Sequence, residues 1–167
     1  MKTEKHSVLR ILLIIGIIGT LLFTFTQSLV PPDESGEMSD GVRGFLETII
    51  PLDTPVGKFI YENVRKIAHF VEYMSLGVFT SLYVIFFMPG VDSKPKERIR
   101  FSIYSLVFAP LVGLVDETLQ IFSGRGPAIL DVWIDTAGFF SGAVTVYSIF
   151  YFVAFLKSRK NDISKDE

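Results

Sequence analysis

Between Asp116 and Gly138 the run D-E-T-L-Q-I-F-S-G-R-G-P-A-I-L-D-V-W-I-D-T-A-G sets Asp116, Glu117, Gln120, Arg125, Asp131 and Asp135 into sequence otherwise apolar enough for a bilayer. A charged side chain at the centre of a membrane helix costs at least ~2.5 kcal/mol unless it faces a partner or a wet cavity. These residues are therefore expected to face one another. Upstream, Arg65, Lys66, His69, Glu72 and Tyr73 recur at spacings that share one side of a helix. Together the two groups hold five carboxylates (Glu72, Asp116, Glu117, Asp131, Asp135), three permanent cations (Arg65, Lys66, Arg125) and the titratable His69. Such a set could hold a divalent cation on oxygen and imidazole ligands or share protons among coupled carboxylates. It could also present Arg125 and Lys66 to a phosphate or carboxylate, with His69 or Glu117 as a general base.

Each residue also has a purely structural reading. Arg65 and Lys66 could snorkel at a helix end, and for Arg65 that is the simpler reading. Asp131 could be an N-cap in a favourable dipole position, Glu117 and Asp135 an interhelical ion pair, and His69 a satisfied core histidine.

The elements that must position these groups are membrane helices. Of 167 residues 49% are hydrophobic and 14% aromatic, and the apolar residues come in long blocks. The chain holds no cysteine, which excludes disulfides, thiolate catalysis and cysteine-ligated metals. Lys and Arg lie in short juxtamembrane groups rather than along one face, which is no nucleic-acid footprint.

The pattern predicts an all-α bundle of four spans, near residues 11–30, 65–88, 101–122 and 131–156. Cytoplasmic tails are expected at 1–10 and 157–167, and the membrane domain at 11–156. The basic start and apolar run also open a secretory signal peptide, but the run is too long and no small-x-small site follows, so a retained helix is expected. Pro31-Pro32 should end it. The acidic stretch from Asp33 to Asn63, with Val42, Phe45, Leu46, Ile49 and Ile50 at helical spacing, reads as a loop holding a short amphipathic helix. A solvated linker is the alternative. Pro89-Gly90 should close the second span, Asp92 to Arg100 should form a polar turn, and Pro110 should kink the third span.

Lys and Arg outnumber acids at the N-terminus, between spans two and three, and in the C-terminal tail, which places both termini in the cytoplasm. The polar residues then fall in one layer at the outer ends of three helices, the deepest roughly 5 to 10 Å below the interface. Beneath them Gly113, Gly138 and Gly142 would let neighbouring helices approach closely.

Three blocks, R-K-I-A-H-F-V-E-Y, D-E-T-L-Q-I-F-S-G-R and D-V-W-I-D-T-A-G-F-F-S-G, occur in this order. Together they resemble the VanZ-like family of bacterial membrane proteins, over all but the two tails. The resemblance implies a four-helix plasma-membrane protein and, by analogy with the family's namesake, a role in low-level resistance to teicoplanin-type glycopeptides in Gram-positive cells. It marks Lys66, His69, Glu72, Tyr73, Asp116, Glu117, Gln120, Arg125, Asp131, Asp135 and Gly138 as the family's characteristic positions. His69, Glu72, Asp116, Glu117 and Asp135 are candidate catalytic groups, and Lys66, Tyr73, Gln120, Arg125 and Asp131 candidate ligand contacts.

Three functions remain in competition. The layer could bind or modify a membrane lipid or lipid-linked cell-wall intermediate in the outer leaflet. The chain could be a non-catalytic interaction protein whose ion pairs specify packing. It could be a small transporter, although no inverted repeat supports that. Whether it is an enzyme, and which metal if any it uses, stays open in the sequence.

Overall fold

The structure is a computed structural model that describes residues 2–51, 53–88, 95–126 and 128–163. The described residues form six helices and no strands: α1 Lys2–Ser28, α2 Pro32–Glu47, α3 Pro55–Glu62, α4 Val64–Phe87, α5 Pro95–Phe122 and α6 Ile129–Ile163. Among them three are long and apolar enough to cross a membrane, over His6–Ser28, Val64–Phe87 and Ile129–Arg159. Polar side chains in these spans mostly satisfy themselves. Thr20 and Thr26 donate to the carbonyls of Gly16 (2.8 Å) and Leu22 (2.6 Å) four residues back, so each hydroxyl is bonded within its own helix.

Several boundaries differ from those expected. α1 ends at Ser28, and the two prolines serve the next helix. Pro32 takes the first position of α2, where its missing N–H costs nothing, and Asp33 and Glu34 suit the positive end of the dipole. The stretch expected to hold one short helix holds two. α3 is opened by Thr54, whose hydroxyl accepts from the Gly57 amide at 3.0 Å, with Pro55 behind it. The expected polar turn over Asp92 to Arg100 is half helix: α5 begins at Pro95, again a proline suited to the first turn. Pro89-Gly90 and the rest of that turn lie outside the described residues. α5 continues through Pro110. α6 starts at Ile129 and carries Lys157, Arg159 and Lys160 within its last turns, where cations complement the dipole.

α4 is the hub, packing most extensively on α6 and also on α1 and α5, while α5 packs on α6. The seam of α4 and α6 is built on glycine. A Cβ at Gly138 would lie 2.3 Å from the Phe70 carbonyl oxygen, one at Gly142 2.1 Å from that of Met74, and one at Gly77 2.2 Å from that of Phe139. Helix backbones thus touch, as small residues allow in membranes. Gly113 is placed otherwise than expected: a Cβ there would sit 3.4 Å from the Asp135 side chain, so its smallness makes room for a carboxylate. Tyr73, Leu76, Ala109, Val112 and Phe139 form the buried core, with Ile17, Leu21 and Phe25 of α1 against it.

The turn joining α5 to α6 needs a positive φ at Gly124 (79°). An L-residue pays roughly 1–2 kcal/mol in that region. Gly124→Ala is therefore expected to lower stability by about 1 kcal/mol in detergent unfolding followed by circular dichroism. Gly126→Ala, with open space around it and no positive φ, should leave the midpoint in place.

Candidate functional site

The polar residues of α4, α5 and α6 do converge, at the end of the bundle that α2 and α3 cover. His69, Tyr73, Asp116, Glu117, Gln120, Arg125 and Asp135 are all buried. Their positions follow from helix geometry. His69 and Tyr73 stand one turn apart on α4, Asp116 and Gln120 one turn apart on α5, and Asp131 and Asp135 one turn apart on α6.

Asp116 is the centre of a hydrogen-bonded chain. Ser28 Oγ at the end of α1 donates to its Oδ1 at 2.5 Å, and Gln120 Nε2 donates to its Oδ2 at 3.1 Å. The same Gln120 nitrogen reaches Glu117 Oε1 at 3.1 Å, and Arg65 donates to the Gln120 carbonyl oxygen at 3.0 Å. Arg65 therefore turns into the protein, and the snorkelling reading fails because a buried amide offers it an acceptor. Glu117 also accepts the Ala128 amide at 2.6 Å, tying α5 to the start of α6. Asp131 is not the N-cap: its amide donates to the Ala128 carbonyl, and it stands half-buried in the first turn of α6, where the dipole still favours it.

Arg125 lies in the turn after α5 yet is buried. It donates to the Gln27 carbonyl at 2.9 Å and to Ser35 Oγ at 3.4 Å, and its Nε has no hydrogen-bond partner. Burial first, and the nearby Arg65 charge second, pull its pKa below the usual guanidinium value, against the opposing carboxylates. It is a cation short of acceptors.

On α4 and α6, His69 Nδ1 lies 3.7 Å from Asp116 Oδ2 and 3.7 Å from Asp135 Oδ1, close but beyond hydrogen-bond length. Both oxygens of Asp135 are buried without a donor. Glu72 is half-buried and hydrogen-bonded to Thr24 of α1, and its Oε2 has no partner. Lys66 is exposed and lines a small cavity of ≈160 Å³ with Arg43, Arg65, His69 and Asp131.

Beside this layer opens a larger cavity of ≈390 Å³ between α1, α2 and α4. Met38, Val42 and Leu46 of α2, with Phe23 and Val71, give it apolar walls, and Arg65, His69, Glu72 and Arg125 give it one polar side. A shallower groove of ≈310 Å³ shares Phe23, Val71 and Glu72 with it and runs on along α1 and α4 past Gly19, Thr20 and Ser75.

The polar end of α1 escaped the sequence reading. Thr24, Gln27 and Ser28 supply a hydroxyl, a carbonyl and a second hydroxyl to Glu72, Arg125 and Asp116. Their spacing of three and four residues at the tip of an apolar helix was the available signal. Ser35 and Met38 of α2 likewise become wall residues.

Helices of this length and apolarity, packed backbone to backbone around a buried charged layer, define a multi-pass membrane protein of the all-α class. A family model described as VanZ/LLP1 matches residues 10–153, and the chain belongs to that family. Neither curated proteins nor solved structures match it.

Proposed function

We propose that the protein crosses the plasma membrane four times with both termini in the cytoplasm and binds, or acts on, an anionic amphiphile of the cell envelope in the outer leaflet. The observation that carries this reading is the ≈390 Å³ cavity, apolar on the α2 side and polar on the other, where Arg65 and Arg125 stand with His69 and Glu72. A lipid or lipid-linked cell-wall intermediate has that polarity. Its phosphate suits Arg125 and Arg65, which both line the cavity. Its chain suits the groove along α1 and α4.

Four spans are supported by the length of α5, whose 28 residues extend about 42 Å, enough to cross a bilayer. The orientation rests on Lys and Arg flanking the far ends of the helices, opposite the acidic α2. The exposed Phe45, Ile49, Val56 and Phe59 of α2, α3 and the segment between them suit a position at the membrane surface. Occupying or altering such an amphiphile would change what a lipid-anchored glycopeptide meets, which connects the site to teicoplanin-type resistance.

The test is teicoplanin susceptibility of a sensitive Gram-positive host expressing wild type, Glu117→Gln or His69→Ala, with membrane levels checked by blot. Wild type alone is expected to protect, with at least a fourfold difference in inhibitory concentration. Equal protection by all three would refute a chemical role for the layer.

A second reading, a non-catalytic interaction protein, is favoured by one observation: Asp116, Gln120 and Glu117 already satisfy one another. Under it, neutralising matched partners together should preserve function where single changes do not.

A further inference from the structure

We infer that His69, Asp116 and Asp135 form a binding site for one divalent transition-metal ion. One ligand atom from each of the three lies within 4.8 Å of the others, and all three residues are buried. Carboxylates alone would not make a site. Here Asp135 is fully buried, with neither oxygen accepting a hydrogen bond, and the Nδ1 of His69 that faces it has no hydrogen-bond partner. A buried carboxylate without donors is among the costliest arrangements a protein can hold, and among the described residues neither Arg65 nor Arg125 bonds to it. Arg65 donates to Gln120, and Arg125 donates to Gln27 and Ser35.

The separations fit an ion between the three groups. Donors held about 2.1 Å from a tetrahedral metal stand about 3.4 Å apart. His69 Nδ1 stands 3.7 Å from each carboxylate, too far to bond them and close to what a shared ion demands. The charges also balance, since two carboxylates and a neutral imidazole match a dication. One nitrogen and two oxygens favour zinc, manganese or iron over calcium or magnesium, which prefer oxygen alone.

The surroundings are those of a supported site. Ser28 and Gln120 hold Asp116 by both oxygens, as partners of ligands do. Gly113 leaves room against Asp135. The Tyr73 hydroxyl, buried and without a hydrogen-bond partner, lies one turn further along α4. His69 also lines both the ≈390 Å³ and the ≈160 Å³ cavities. Three protein ligands leave a position for water or for a phosphoryl oxygen. The inference concerns the layer used above but does not depend on what fills the larger cavity.

The experiment is metal titration of the full chain, purified in detergent and stripped with chelator, using Zn²⁺ against a chromophoric competitor and Co²⁺ by its visible absorption. Wild type is expected to bind one ion per chain with micromolar or better affinity and to show a four- or five-coordinate Co²⁺ spectrum. Asp135→Asn and His69→Gln, if monodisperse, should each weaken binding more than about 100-fold, and Ser28→Ala about tenfold. Asp135→Glu keeps a carboxylate and should shift the spectrum without abolishing it. Asp53→Asn, at an exposed acid outside the layer, should bind as wild type.

Absence of stoichiometric binding to folded wild type overturns the site whatever the variants do. So does wild-type affinity in both Asp135→Asn and His69→Gln. Because no lipid or antibiotic enters the titration, a failure of the susceptibility test leaves this result standing, and the reverse also holds.

Discussion

Replacing Gly142 by leucine is expected to separate α4 from α6 and to cost more than about 3 kcal/mol, the upper part of the range for overpacking. The reason is what the side chain would meet. Its first carbon would fall 2.1 Å from the Met74 carbonyl oxygen and 3.0 Å from the Val78 amide nitrogen, both backbone atoms of a straight helix. Flexible side chains can yield at such a distance, but two helices can only move apart. Gly138 faces Phe70 in the same way one turn earlier, and Gly77 returns the contact to Phe139, so the seam is closed from both sides. In a bilayer little hydrophobic force drives helices together, and close packing supplies most of the affinity.

Since α4 carries His69 and α6 carries Asp135, the separation would open the polar layer as well. Thermal unfolding in detergent, followed by circular dichroism, should show Gly142→Leu and Gly138→Leu melting far below wild type. Gly19→Ala, with no neighbour within 4 Å, should shift stability by less than about 0.5 kcal/mol. Wild-type melting of Gly142→Leu would refute the packing described here.

Much of this could be read in the sequence because membrane burial makes charge conspicuous. Asp116, Glu117 and Asp135 had to turn inward, and their helical spacing fixed which sides met. The glycines of α6 were legible for a similar reason, as small residues repeated one turn apart below the carboxylates. What escaped was carried by residues whose types are ordinary where they stand. Ser28 and Thr24 look like the usual hydroxyls of a membrane helix, and only the tertiary contact turns Ser28 into the partner of Asp116.

Arg65 was misjudged because a long cation at a helix end normally reaches outward, and a buried acceptor on another helix is invisible in one dimension. The prolines misled in the opposite sense. Pro32, read with Pro31 as a stop, stands at the first turn of α2, as Pro55 and Pro95 do in α3 and α5, where the missing N–H would have had no partner. The cavity wall from α2 needed the fold itself, since nothing in Met38 or Val42 says which helix they cover.

The largest effect within the site is expected at Asp116, and it separates architecture from chemistry. Asp116→Ala removes the acceptor for Ser28 Oγ and one of the two acceptors of Gln120 Nε2, leaving the buried Ser28 hydroxyl unpaired at about 1–3 kcal/mol while Gln120 keeps Glu117. It empties a fully buried position besides. A loss of about 3 kcal/mol is therefore expected. Ser28→Ala removes a donor and leaves a carboxylate with one remaining bond, at a cost of about 1–2 kcal/mol. Combining them should cost less than the sum by at least about 1 kcal/mol, because the orphaned partner is gone.

Asp116→Asn is the informative third variant. The amide keeps an oxygen to accept from Ser28 and nearly the same volume, so most of the stability lost in Asp116→Ala should return. The negative charge does not return. If the layer only packs helices, teicoplanin protection should follow stability, and the amide should protect almost as wild type does. If the charge itself is used, the amide variant should melt near wild type yet fail to protect. Additive single and double losses would mean that Ser28 and Asp116 do not interact. Stability and protection measured on wild type and these four variants thus assign the carboxylate to scaffold or to function.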